Sequence, residues 1–127
     1  DFINPSDYDN ANGILYSSYS SSQLQRITGM RTSPVISQFT VTGMTDYAGN
    51  ILSSPYASAG TTTLFVGCGD GKLFKVTNAQ TGASPSTTNI TGASFPATNI
   101  SCVELGASES DILRPSSSVK NVIFLRL

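Results

Sequence analysis

An all-β chain built of repeated four-stranded antiparallel units is what this sequence predicts, and three observations lead there. An ungapped spacing of 49 residues runs through it: Ile14-Leu15-Tyr16 with Leu24-Gln25-Arg26-Ile27 recurs as Thr63-Leu64-Phe65 with Leu73-Phe74-Lys75-Val76. The same pattern returns more weakly as Ile112-Leu113-Arg114 with Val122-Ile123-Phe124-Leu125, and Val41-Thr42-Gly43 maps onto Ile90-Thr91-Gly92. Second, Ser and Thr make up roughly a quarter of the 127 residues, charged residues are only 12%, and there are 11 glycines. That composition favours strands and tight turns over helices. Third, no window carries the i, i+3, i+4, i+7 apolar pattern of an amphipathic helix. Short apolar runs repeating at about this period are the mark of stacked-sheet architectures, of which the β-propeller is the best fit.

Each unit resolves into strands and turns. Leu64-Phe65-Val66-Gly67-Cys68 and Leu73-Phe74-Lys75-Val76-Thr77 read as an antiparallel pair around Gly69-Asp70-Gly71, where positive φ costs little. The first copy has Ser20-Ser21-Ser22 there, a looser turn. Polar connectors precede each hairpin: residues 7–13, 58–62 and 108–111. Before each connector an inner strand is expected. Ile100 to Leu105 is the clearest, with Ile100, Cys102 and Glu104 alternating against Ser101, Val103 and Leu105. Its counterpart Ile51 to Tyr56 contains Pro55, which marks it as short or bulged. In the first unit only Phe2-Ile3 remains before Pro5. Outer strands are predicted at residues 38–42 and 88–91, each followed by a glycine.

These elements give an inner strand, a hairpin pair and an outer strand per unit, which is the four-stranded blade of a propeller. The length suits one domain, 1–127, with units near 1–43, 44–92 and 93–127. The chain thus carries about two to three blades, whereas closed propellers need at least about four. The expectation is a partial propeller: a fragment, a self-assembling piece or a short open stack whose end faces invite association. Pro115 breaks the third copy's strand, because proline cannot donate in a ladder.

Gly67-Cys68-Gly69-Asp70-Gly71-Lys72-Leu73-Phe74-Lys75-Val76-Thr77 resembles the GxxDGxLxxxT hairpin of sialidase-like, Asp-box-type and sortilin-like propellers. Residues 90–96 followed by 100–103 look like their link from an outer strand to the next inner strand. The opening Asp7-Tyr8-Asp9-Asn10 with Ile14-Leu15-Tyr16 is similar to their connector. The Asp-box turn itself is degraded, since Thr77-Asn78-Ala79-Gln80-Thr81-Gly82 follows Val76 and the chain has no Trp. The resemblance implies the fold and transfers no specific activity.

Chemistry is bounded more firmly. With no His, Ser-His-Asp and Cys-His mechanisms and His-ligated zinc are excluded, and two Cys cannot make a four-thiolate site. The acids Asp1, Asp7, Asp9, Asp46, Asp70, Glu104, Glu109 and Asp111 fall in turns and connectors, except Glu104 on a predicted inner strand, where it could face a channel. Paired carboxylates of glycosidase type therefore stay open, against a reading as solvated turn residues. Residues 7–13 invite a Ca²⁺ reading, but Ala11 stands where the register needs an oxygen ligand, so no metal is expected. Cys68 and Cys102 read either as a disulfide between neighbouring units in an oxidising compartment or as two free thiols. Tyr8, Tyr16, Tyr19, Tyr47 and Tyr56 read either as sugar-stacking or as strand-packing residues; Glu104, Tyr16 and Tyr19 form the candidate binding set.

The net charge is −1, with basic residues scattered from Arg26 to Arg126, so no nucleic-acid footprint is present. No apolar run reaches the roughly 18 residues of a membrane span. The sequence opens without a signal-peptide pattern, as a mature or an excised product would. A hydroxyl-rich, Lys-poor surface suggests a secreted or cell-surface protein, in which Asn89 and Asn99 would sit in glycosylation triplets. The functional expectation is a non-catalytic extracellular scaffold or binding module without cofactor. Its partners would be other propeller blades, a second copy, a carbohydrate or a protein. A portion of a sialidase-like or endoglucanase-like glycoside hydrolase, and a small β-sandwich adhesin, are the alternatives.

Overall fold

A computed structural model describes residues 4–106 and the strand Val122–Leu125. No helix occurs among the described residues. Sheet I contains β1 (Ser6–Asp9), β2 (Ile14–Ser18), β3 (Gln23–Thr28) and β4 (Val35–Thr40), all antiparallel and in chain order. Sheet II repeats the plan with β5 (Ala48–Ser53), β6 (Leu64–Cys68), β7 (Leu73–Thr77) and β8 (Ser86–Asn89). A third, two-stranded element pairs β9 (Cys102–Leu105) with β10 (Val122–Leu125).

The hairpins sit where the repeat places them. Leu15 faces Ile27 across β2 and β3, and Leu64 faces Val76 at the same position of sheet II. Gly71 takes φ +85° in the second hairpin turn, and a side chain there would run into the backbone of Pro96. The left-handed residue after the pair is also repeated: Gly29 has φ +64° and Asn78, 49 residues on, has φ +53°. Asparagine is among the few residues that tolerate that region.

The inner strands differ from expectation. In the first unit β1 is Ser6–Asp9, not Phe2-Ile3, which lie outside the described residues. Half of the expected connector 7–13 is therefore strand, and only Asn10–Gly13 turns. The turn closes so tightly because Asp9 Oδ1 accepts from the backbone N–H of Ala11 and Asn12. The second inner strand is shifted toward the N-terminus, to Ala48–Ser53. Its bulge lies between Ala48 and Asn50, and the strand ends before Pro55. The outer strands β4 and β8 begin and end slightly earlier than predicted. The alternation at 100–105 is also corrected: Ile100 and Val103 both enter the core, and only 102–105 is strand. Val122–Leu125, expected as the second strand of an antiparallel hairpin, pairs in parallel with β9, Ile123 opposite Val103. The expected connector 108–111, the strand around Leu113 and the break at Pro115 lie outside the described residues.

The sheets stack in one sense. Cross-strand registers divide each sheet into two faces. The downstream face of sheet I carries Asp7, Tyr16, Arg26 and Ser37, with Leu24 opposite Phe39; the upstream face carries Tyr8, Leu15, Ile27 and Ile36. In sheet II the repeat puts Phe65, Gly67, Leu73 and Lys75 downstream and Leu64, Val66, Phe74 and Val76 upstream. Ile14, Tyr16, Leu24 and Phe39 of sheet I pack with Leu64, Val66, Phe74 and Val76 in the main core. On its downstream face sheet II buries Phe65 and Leu73 against Ile100 and Val103, with Phe95 and Leu105 at the margin. Sheet II is thus covered on both faces, which is why all of β6 is buried and apolar. Gly67 is required there: a Cβ would overlap the Ile100 side chain. The inner strands β1, β5 and β9 lie side by side. Asp7 Oδ2 accepts from Ser53 N–H and Asn50 Oδ1 accepts from Val103 N–H, so each inner strand caps an edge amide of the next.

Candidate functional site

Among the described residues no sheet lies on the upstream face of sheet I, and that face holds the candidate site. A cross-strand row of Tyr8, Leu15, Ile27 and Ile36 runs over it, one residue from each strand. Ile36 is 58% exposed and Tyr8 44%, while Leu15 and Ile27 are half-buried. The adjacent row is polar: Gln25 Nε2 donates to Ser17 Oγ at 2.9 Å. At one end of the face the β1–β2 and β3–β4 turns enclose an open cleft of about 400 Å³, lined by Tyr8, Asn10, Gly13, Met30, Arg31 and Thr32, among others. Arg31 is exposed and has no charged partner among the described residues.

On the opposite face the same turn is used up internally. Asp9 is buried, and its Oδ2 accepts from Thr62 Oγ1 of sheet II and from Asn12 Nδ2. Asn12 Nδ2 also donates to Thr61 O at 2.9 Å. Burial pushes the Asp9 carboxyl up. The hydrogen bonds from Thr62, Asn12 and Ala11 outweigh it and hold the group below the usual carboxylate range. Arg26, also buried, donates from Nε to Ala79 O at 2.9 Å and from Nη2 to Gly82 O at 3.0 Å, with its guanidinium 4.4 Å from the Phe39 ring centroid. Tyr16 lies beside them, fully buried, and burial pushes its pKa up.

The turn Asn10–Gly13 is therefore an Asx turn, closed by Asp9 at the end of β1, that plugs into the next sheet. Among the described residues no three His, Cys, Asp or Glu side chains group as metal ligands.

A folded-state pKa below the unfolded one means that Asp9 stabilises the fold above the unfolded carboxyl value of about 3.9 and loses that contribution as pH falls through the folded value. Unfolding free energy measured between pH 6 and pH 2 should therefore drop below about pH 4. Asp9→Asn should be less stable at pH 6 and show a shallower acid loss; an unchanged acid slope would show that Asp9 is not the group responsible.

The sequence-derived candidates do not come together. Tyr16 is sealed in the core, and Tyr19 is 53% exposed at the first hairpin turn. Glu104 is exposed on β9, on the side turned away from sheet II, since its neighbour Val103 faces that sheet. Both cysteines are free thiols. Burial, helped by the Asp70 and Asp46 charges, pushes Cys68 up to about 12, which leaves it inert as a nucleophile.

Asp70 is the hairpin-turn acid. Its carboxylate accepts from Lys72 N–H and Thr45 Oγ1 and pairs with Lys72 Nζ at 3.3 Å. Burial raises its pKa, but these partners prevail and keep it low. Neither Asp9 nor Asp70 has the raised pKa that a general acid needs. Met30, Arg31 and Ile36 were not among the sequence candidates. The signal for them was the repeat itself, because Met30 occupies the position of Ala79, which is fully buried. Comparison with family models, with curated proteins and with solved structures finds no match to this chain.

Proposed function

We propose that the chain is a non-catalytic scaffold or binding module of propeller type, acting at an extracellular surface. One observation carries the reading. The downstream face of one four-stranded sheet is buried against the upstream face of the next, with the inner strands β1, β5 and β9 adjacent. Blades of a propeller stack in that way around their axis. The hairpin resemblance to sialidase-like and Asp-box-type propellers points the same way. The acids support a module without catalysis, since Asp7, Asp9 and Asp70 are engaged in holding turns and sheets. Its binding capacity lies on the open face of sheet I, where aromatic, aliphatic and cationic groups are left for a protein or carbohydrate ligand.

Two measurements test this. Nuclear Overhauser contacts in solution should connect β1 to β5 and β5 to β9, with residues 49 apart at matching places in the two sheets. A sandwich with β4 packed over β8 and no contact between inner strands would refute the blade arrangement. Incubation with aryl glycosides should release no aglycone; turnover lost on Glu104→Gln would overturn the non-catalytic reading.

A further inference from the structure

Of the asparagines in the chain, Asn12 alone is followed by glycine. The fold imposes that pair, because the turn needs a left-handed residue at Gly13, where φ is +68°. It is also chemically reactive, since glycine puts no side chain in the way of its own amide nitrogen. The backbone N of Gly13 adds to Cγ of Asn12, the side-chain nitrogen leaves as ammonia, and a cyclic imide forms. Water then opens the imide at either carbonyl. The products are aspartate and its isomer, in which the main chain runs through the side-chain carbon. Water is the one co-reactant.

In the folded chain both partners in that reaction are tied. Gly13 N–H donates to Asp9 O at 2.8 Å. The carboxamide of Asn12 has two N–H donors and places them on two acceptors, Asp9 Oδ2 at 2.7 Å and Thr61 O at 2.9 Å. The second of these bonds crosses to the β5–β6 connection of sheet II, 49 residues away. Asp9 Oδ2 is also held from sheet II, by Thr62 Oγ1. The lock on Asn12 therefore exists only while the two sheets are docked.

We infer that Asn12–Gly13 is a deamidation site guarded by the docking of sheet I on sheet II, and that its loss of ammonia releases that docking irreversibly. The same contacts decide what the product does. Ionised aspartate has no donor, so Asp9 Oδ2 and Thr61 O both lose theirs. A new carboxylate then faces that of Asp9, which is buried, and like charges sharing such a site repel. The isomer lengthens the main chain of the turn and displaces Gly13 N–H from Asp9 O. A chain that opens long enough to react thus fails to close again. The device is independent of the propeller-type and ligand-binding readings, because it needs only the contacts of Asn12 and Asp9 with sheet II.

The whole chain, incubated near neutral pH and then digested, should show by mass spectrometry whether residues 10–13 gain the mass of an amide turned to an acid. In the folded chain Asn12 should react at least about a hundredfold more slowly than in the chain unfolded in urea, since only a local opening frees the pair. Thr62→Ala leaves Asn12 untouched and removes a bond that seats Asp9 on sheet II. It should speed the reaction by about tenfold or more with an unchanged circular dichroism spectrum. Asn10, followed by Ala11, is the control within the same fragment. The release is read from Asn12→Asp, whose urea midpoint should fall below that of Asn12→Ala, which removes the same bonds without adding charge. Equal rates in the folded and unfolded chain overturn the guard, and so does a Thr62→Ala rate equal to that of the wild type. An unfolded chain in which Asn12 reacts no faster than Asn10 overturns the site. Asn12→Asp as stable as Asn12→Ala overturns the release, whereas Asn12→Asp failing to fold where Asn12→Ala folds supports it.

Discussion

Phe74→Ala should cost about 3–5 kcal/mol of folding stability, the range for removing a fully buried aromatic ring. Phe74 has no exposed surface. It projects from β7 on the upstream face of sheet II, opposite Val66, into the core shared with Tyr16, Leu24 and Phe39. A side chain added at Gly43 would stand 3.3 Å from its ring, so the loop after sheet I closes over it. Collapse into the vacated space is resisted because both walls are sheets, held by their ladders. Single domains have about 5–15 kcal/mol in all, so this one change would consume a large share. The control is built into the repeat. Gln25 occupies the same position of sheet I, on the open face, and Gln25→Ala should change stability by less than about 0.5 kcal/mol. Urea unfolding of both variants measures the contrast. A Phe74→Ala loss under about 1 kcal/mol would mean that sheets I and II are not packed face to face.

How much of this was legible in the sequence follows from which physical signals repeat. Apolar residues at matched spacing located β2, β3, β6 and β7, because both copies must place Leu15 or Leu64 opposite Ile27 or Val76 to form the same pair. The inner strands were harder to read. Their partners are set by connectors of different length, so Tyr8 and Ser53, which occupy the same place, are not 49 residues apart. Asp7 and Asp9 read as connector because acids are poor strand formers. In the structure the first caps an amide of β5 and the second accepts from Thr62, so tertiary contacts override the propensity. Ile100 and Val103 broke the alternation because Gly67 leaves room for Ile100 to lie directly on the β6 backbone. Strand pattern says nothing of partner or direction, and the parallel pairing of β9 with β10 was for that reason beyond reach. The candidate site was half legible. Tyr8 read as one of the tyrosines that either stack on a ligand or pack. Arg31 read as one scattered charge until the stacking left its face of sheet I uncovered among the described residues.

Arg26→Met should cost about 2–4 kcal/mol, although methionine keeps most of the buried stem. The guanidinium is one of the polar links between the two sheets, beside those of Asp7, Asp9 and Asn12. It leaves β3 on the downstream face of sheet I and reaches the carbonyls of Ala79 and Gly82 in the β7–β8 loop. Its removal orphans the buried carbonyl region at Ala79, whereas Gly82 is exposed and can turn to water. The guanidinium also stacks on Phe39, which in turn meets Tyr16 edge-on with ring centroids 6.1 Å apart. Arg26→Lys would keep the charge and lose the fork that serves two acceptors at once, so it should recover only part of the loss. A double-mutant cycle with Phe39→Leu should give a coupling of about 0.5–2 kcal/mol, the range for a desolvated cation on a ring. The repeat again provides the comparison. Lys75 holds the Arg26 position in sheet II, is half-buried, and lies 5.9 Å from the Phe65 ring centroid. At that more exposed site Lys75→Met should cost less than about 1 kcal/mol. Equal losses at the two positions would show that Arg26 acts through packing of its stem alone, and that the carbonyls of Ala79 and Gly82 do not need it.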